Sequence, residues 1–190
     1  MEDQKLAVIF PGIGYHKDKP LLYYAAKMAK QCGHEIIYID YHDMPQKIRG
    51  NTEMMQTAAS LAAAQSREVL QAVRLDAYAE ILLIGKSIGT VAAAQLASEW
   101  NAPVRQIWYT PLETTFACGS SHPCIAFLGE ADPWSDAKTL KAIAAERNIP
   151  MPVYPGCNHS LECSDVMRNL SVLQDVMEQT AQFLQNSRSD

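Results

Sequence analysis

The chain has 190 residues, 48% of them hydrophobic and 19% charged, with a formal net charge of −5. That length suits one domain, 1–190, around one core, and the composition excludes collagen, coiled coil and extended disorder. The basic residues are scattered, with Lys27 and Lys30 as the nearest approach to a cluster, so the basic face that nucleic acid requires is missing.

No apolar run reaches the ~20 residues that cross a bilayer. The acidic start, Met1-Glu2-Asp3, lacks the basic opening of a signal peptide. The five cysteines (Cys32, Cys118, Cys124, Cys157, Cys163) are odd in number and contain no C-x-x-C pair. They read as reduced cytoplasmic thiols, not as a disulfide frame or a zinc site. The expected partner is a small-molecule substrate, with no metal, cofactor, membrane or nucleic acid; the sequence says nothing of oligomeric state.

In chain order, Leu6–Phe10 is an apolar strand stopped by Pro11-Gly12, and 19–31 has apolar residues at helical spacing before Gly33. Ile36–Tyr41 reads as a strand, 42–55 as irregular and Thr57–Leu75 as an alanine-rich helix. Ile81–Ile84 is a strand and Ser87–Trp100 a helix. Val104–Tyr109 and Cys124–Leu128 are strands, Ser135–Arg147 a helix, Met151–Tyr154 a short strand, and Leu161–Asn186 a closing helix. Short apolar strands alternating with helices predict an α/β fold: a mostly parallel sheet of about six strands with helices on both faces. Ligands of such sheets sit at the carboxyl ends of the strands.

Three segments fall at those ends. Gly85-Lys86-Ser87-Ile88-Gly89 lies between a strand and a helix. A serine at the tip of such a turn has strained backbone angles, and flanking glycines make room for neighbouring chain. The bland alternative is a glycine-rich turn with a capping serine. Gly129-Glu130-Ala131-Asp132 follows the fifth strand, where Asp132 is either an acid facing the site or a cap of the next helix. Gly156-Cys157-Asn158-His159-Ser160 follows the last strand, and His159 alone would read as a loop residue. Together they are more specific, because each follows a different strand and the order is Ser, acid, His. Serine is a poor nucleophile without a base, and the base needs a carboxylate to fix its tautomer. Pro11-Gly12-Ile13-Gly14-Tyr15 after the first strand supplies the remaining part. Backbone N–H groups of Ile13 and Ile88 can face a developing oxyanion, with Gly12 and Gly14 allowing close approach.

On these motifs the chain resembles the α/β-hydrolase family, in particular small lidless members similar to dienelactone hydrolases. The resemblance runs from the loop at 11–15 to the loop at 156–160. It implies Ser87, Asp132 and His159 as catalytic triad and Ile13 and Ile88 as oxyanion donors. The chain departs from the pattern by Pro11 where the first loop usually has His, by Ser87 where dienelactone hydrolases carry Cys, and by lacking two leading antiparallel strands. Between Tyr109 and Cys124 there is no room for a cap.

Glu113, after the fourth strand, is the rival to Asp132. Gly12, Tyr15, His16, Leu112 and Trp134 are candidates for the pocket wall, each otherwise plain packing. Tyr23 and Tyr24 read as helix–sheet packing, His34, His42 and His122 as surface, and Cys157 as a loop filler. The expected activity is hydrolysis of a small ester, thioester or lactone through an acyl-enzyme on Ser87. The alternatives are an acyltransferase or lyase on the same scaffold, or a binding protein without catalysis.

Overall fold

A computed structural model describes residues 4–118 and 122–186. The acidic start at 1–3 and part of the segment read as too short for a cap, 119–121, lie outside the described residues. The strands are β1 (Lys5–Phe10), β2 (His34–Tyr38), β3 (Glu80–Lys86), β4 (Val104–Tyr109), β5 (Cys124–Gly129) and β6 (Val153–Tyr154). They form one sheet in the order β2-β1-β3-β4-β5-β6, and every neighbouring pair is parallel. The helices are α1 (Pro20–Gln31), α2 (Thr52–Leu70), α3 (Ile88–Glu99), α4 (Glu113–Ala117), α5 (Ala137–Glu146) and α6 (Val166–Gln185).

Alternate strand residues feed cores on the two faces of the sheet. Ala7, Ile9, Leu82, Ile84, Ile107 and Tyr109 pack with α1 and α6. Leu6, Val8, Phe10, Ile81 and Leu83 pack with α2 and α3 on the other face. With both faces covered, a strand cannot alternate apolar and polar, which is why these runs are apolar throughout. Among the described residues no helix is long and apolar enough to cross a membrane.

Boundaries moved where backbone pairing overruled composition. β2 starts at His34 and ends at Tyr38 because its partner β1 runs out at Phe10, before Pro11; Ile39 makes the last bond, donating its N–H to Ile9 O at 2.9 Å. The helix expected over 57–75 starts at Thr52, because the Asn51 side chain accepts from Met54 N–H at 3.0 Å and caps it. It stops at Leu70, and Leu75–Ala77 forms a separate 3₁₀ turn. β6 shrinks to two residues, since Pro150 and Pro152 offer only carbonyls to Ala126 and Leu128. Asp136 and Asp165 cap α5 and α6, so both helices start later than expected. The short α4 was not expected.

Four burial assignments are corrected. His34 is buried: Nδ1 lies 3.0 Å from Ala29 O and Nε2 3.1 Å from the Glu80 carboxylate. His122 is half-buried, with Nε2 3.1 Å from Ala97 O. Conversely, Tyr23 and Tyr24 are exposed and stack edge-to-face on each other, because the apolar stripe of α1 is already complete in Leu21, Leu22, Ala25, Ala26 and Ala29. His42 is exposed, as expected.

Candidate active site

Ser87 sits between β3 and α3 with φ 55° and ψ −122°, a conformation costly for any residue with a Cβ. The turn is held from both sides: Ser87 N–H donates to Tyr109 O at 3.0 Å, and Ser87 O accepts from Thr90 N–H at 2.9 Å. A Cβ on Gly85 would lie 2.7 Å from Thr90 Cα, and one on Gly89 would lie 2.3 Å from Phe10 O. The flanking glycines are therefore required because β1 and α3 press on the turn. Gly12 is tight as well, its added Cβ falling 3.3 Å from Ser87 Cβ. Gly14 is not: it faces open space, so the close approach expected of it is not needed there.

Asp132 lies in the turn after β5. That turn is pressed against the loop carrying His159, and a Cβ on Gly129 would meet Cys157 O at 2.3 Å. Ala131 N–H donates to Cys157 O at 2.9 Å, so the two loops are bonded to each other. Cys157 is buried there, as a filler. Asp132 does not cap α5; Asp136 does. The Asp132 carboxylate has no exposed side-chain surface; Oδ1 accepts from Trp134 N–H at 2.9 Å and Oδ2 accepts from His159 Nδ1 at 2.7 Å. That bond leaves Nε2 of His159 as an acceptor, 2.7 Å from Ser87 Oγ. Glu113, the rival acid, is an exposed residue at the start of α4. The His159 pKa is lowered from its ordinary value: burial disfavours the imidazolium, the hydrogen bond to Asp132 opposes this, and the nearby Lys86 charge adds to the depression. Trp134 lies against the imidazole with ring centroids 5.5 Å apart.

A cavity of about 250 Å³ opens onto Ser87 and His159. Gly12, Ile13, Tyr15, Ile88, Leu112 and Trp134 line it, so every wall residue read from the sequence except His16 is brought there. His16 is exposed and turns to Asp18. Sequence reasoning missed Ile48, Ser160 and above all Lys86. Ile48 came from a segment without periodicity. Lys86 carried a signal, as the only charged residue after five apolar or glycine positions of β3. Its side chain is buried, with Nζ 4.9 Å from the centroid of the Tyr15 ring. Burial pulls its pKa down to about 7, with Asp132 opposing and Lys19 adding to the depression. Among the described residues no group of three or more His, Cys, Asp or Glu could hold a metal ion.

No protein-family model and no curated protein matches the sequence. Solved structures do match in fold. A lidless α/β serine hydrolase from Xanthomonas campestris superposes with TM-score 0.68 at 14% identity, covering 98% of this chain and 84% of that one. An α/β serine hydrolase homologue from Coxiella burnetii gives 0.64 at 16% identity over 94% and 84% of the two chains. An esterase from Pyrococcus furiosus gives 0.65 at 11% identity over 97% and 84%.

Proposed function

The chain has the α/β-hydrolase fold in its lidless form, and we propose that it is a serine hydrolase of small carboxylic esters, thioesters or lactones. The observation that carries this reading is the unbroken hydrogen-bond chain Ser87–His159–Asp132, with both links at 2.7 Å. In the proposed reaction His159 Nε2 takes the Ser87 proton as Oγ attacks the carbonyl carbon. Asp132 holds the imidazole in the required tautomer and stabilises the imidazolium that forms. Backbone N–H groups of Ile13 and Ile88 face the oxyanion. The imidazolium returns its proton to the leaving alcohol or thiol. Water, deprotonated by the same nitrogen, then clears the acyl group from Ser87.

The cavity is small, and without a lid little apolar surface is available to a long chain. Each buried CH₂ contributes about 0.8 kcal/mol, and only the first few would find a wall. Acetyl to butyryl esters should therefore be preferred over long ones. The reading also places the protein in the cytoplasm, acting on a small molecule. A fluorophosphonate should label Ser87 stoichiometrically, and Ser87→Ala should lose both the label and turnover of p-nitrophenyl acetate. Intact turnover in Ser87→Ala would sink the proposal.

A further inference from the structure

The proposed mechanism leaves Lys86 without a task, although it immediately precedes Ser87. Along β3, Leu82 and Ile84 point to the face covered by α1 and α6, and by alternation Lys86 follows them. It is 1% exposed. Its ammonium meets the Tyr15 ring, and it makes neither an ion pair nor a hydrogen bond among the described residues. A buried cation without an anion is costly, and an aromatic face offsets only part of that cost. Asp132 acts on Lys86 only through space, its two oxygens accepting from His159 and from Trp134 N–H. Lys86 and Tyr15 both line the cavity that holds Ser87 and His159. The cavity is thus lined by a basic residue whose ammonium makes no ion pair among the described residues.

Resting on the reading of Ser87 as nucleophile, we propose that Lys86 determines specificity by pairing with a carboxylate on the substrate's acyl group. The substrate class is then the half-ester or half-thioester of a short dicarboxylic acid. Ser87 and Lys86 line one small cavity, which limits the acyl group between them to a short chain. Lys86 forms no covalent bond in this scheme. It fixes one end of the acyl group while the other meets Ser87 Oγ, the kind of positioning that makes attack effectively intramolecular.

Methanol release from monomethyl succinate and from methyl succinamate, its uncharged isostere, tests this. The wild-type protein should favour the acid by about 10- to 100-fold in kcat/KM, the span of one charged hydrogen bond. Lys86→Met should bring that ratio close to one. A wild-type ratio near one, which needs no variant to measure, overturns the proposal; so does a ratio that Lys86→Met leaves unchanged. Binding is read separately by calorimetric titration of Ser87→Ala with the two compounds, where the acid should bind at least about tenfold more tightly. If the phosphonate labels Ser87 but the titration shows no preference for the acid, the anion site is wrong and the hydrolase reading stands. If neither compound is hydrolysed and no label is taken up while the titration still favours the acid, the hydrolase reading fails and the anion site remains.

Discussion

The two ends of β3 carry opposite charges in opposite circumstances. Glu80, its first residue, is surrounded by Lys5 at 3.6 Å, His34 at 3.1 Å and Arg105 at 3.4 Å. Burial alone would raise its pKa, but the His34 hydrogen bond and the charges of Lys5, His34 and Arg105 bring it down to about 2. Lys86, its last residue, is more deeply buried; among the described residues its ammonium meets an aromatic ring and makes no ion pair, with Asp132 acting on it through space. The same strand thus has a satisfied polar cluster at its amino end and an unsatisfied one at its carboxyl end. Just beyond the carboxyl ends of β3 and its neighbour β4 lie the positive φ of Ser87 and of Thr110, and the buried Thr110 hydroxyl has no partner among the described residues. Strain and unmet polar groups persist where surrounding structure enforces them, and they collect at sites of function.

The widest separation between the two ends should be in turnover. Ser87→Ala and His159→Ala should each lower kcat by about 10⁴-fold or more, since members of such a unit fail together. Asp132→Asn should cost up to about 10⁴-fold by favouring the wrong tautomer of His159. Glu113→Gln and Glu80→Gln should change kcat little. Steady-state kinetics on one neutral ester ranks all five, and an Asp132→Asn effect smaller than that of Glu113→Gln would transfer the acid's role.

Stability should divide the ends in the other direction. Glu80→Gln leaves Lys5 and Arg105 without their carboxylate and weakens the contact with His34, and should cost about 1–3 kcal/mol. Lys86→Met removes the cost of burying an amine whose pKa burial depresses, and should stabilise the protein by about 2–4 kcal/mol at pH 7. The pH windows differ by sign. The folded pKa of Glu80 is depressed, so its contribution is present above about 4.3 and is lost as pH falls toward 2. Lys86 also has a depressed pKa, but as a base it binds its proton more readily when unfolded. The wild-type protein should therefore gain stability from this residue as pH rises from about 7 towards 10, and Lys86→Met should lack that gain. Denaturant melts at pH 3, 7 and 9.5 check both windows. A destabilised Lys86→Met at pH 7 would mean that the ammonium has a partner after all.

How much of this contrast was legible in the sequence depends on whether local pattern or spatial neighbours decided it. The β/α alternation and the positions of Ser87, Asp132 and His159 followed from strand ends, glycines and chain order, all local features. Strand and helix limits did not, because β2 ends where β1 ends and β6 is cut by Pro150 and Pro152. His34 read as surface because Glu80, its partner, is 46 residues away. Lys86 was passed over inside its own motif. Only the fold shows that the Tyr15 ring covers it and that the Asp132 carboxylate is bonded to His159 and Trp134.

The pH dependence of activity sharpens the comparison most finely, because it asks which end of β3 the base feels. His159 must be neutral to accept the Ser87 proton, and its pKa is lowered by burial and by Lys86 against the pull of Asp132. So kcat/KM on a neutral ester should rise through an ionisation below the ordinary value of about 6.5 and then level, falling about tenfold per unit below it. Lys86→Met removes the nearby cation, so the limb should move upward, by less than about one unit. Glu80→Gln should leave it in place. Six residues of strand separate the two ends by about 20 Å, beyond the ~8 Å screening length at physiological salt. Rates from pH 4.5 to 9 at 0.15 M salt distinguish the cases. A limb above pH 7 in the wild-type protein would mean that Asp132 outweighs burial and Lys86. A limb that moves with Glu80→Gln and not with Lys86→Met would place the controlling charge at the wrong end of the strand.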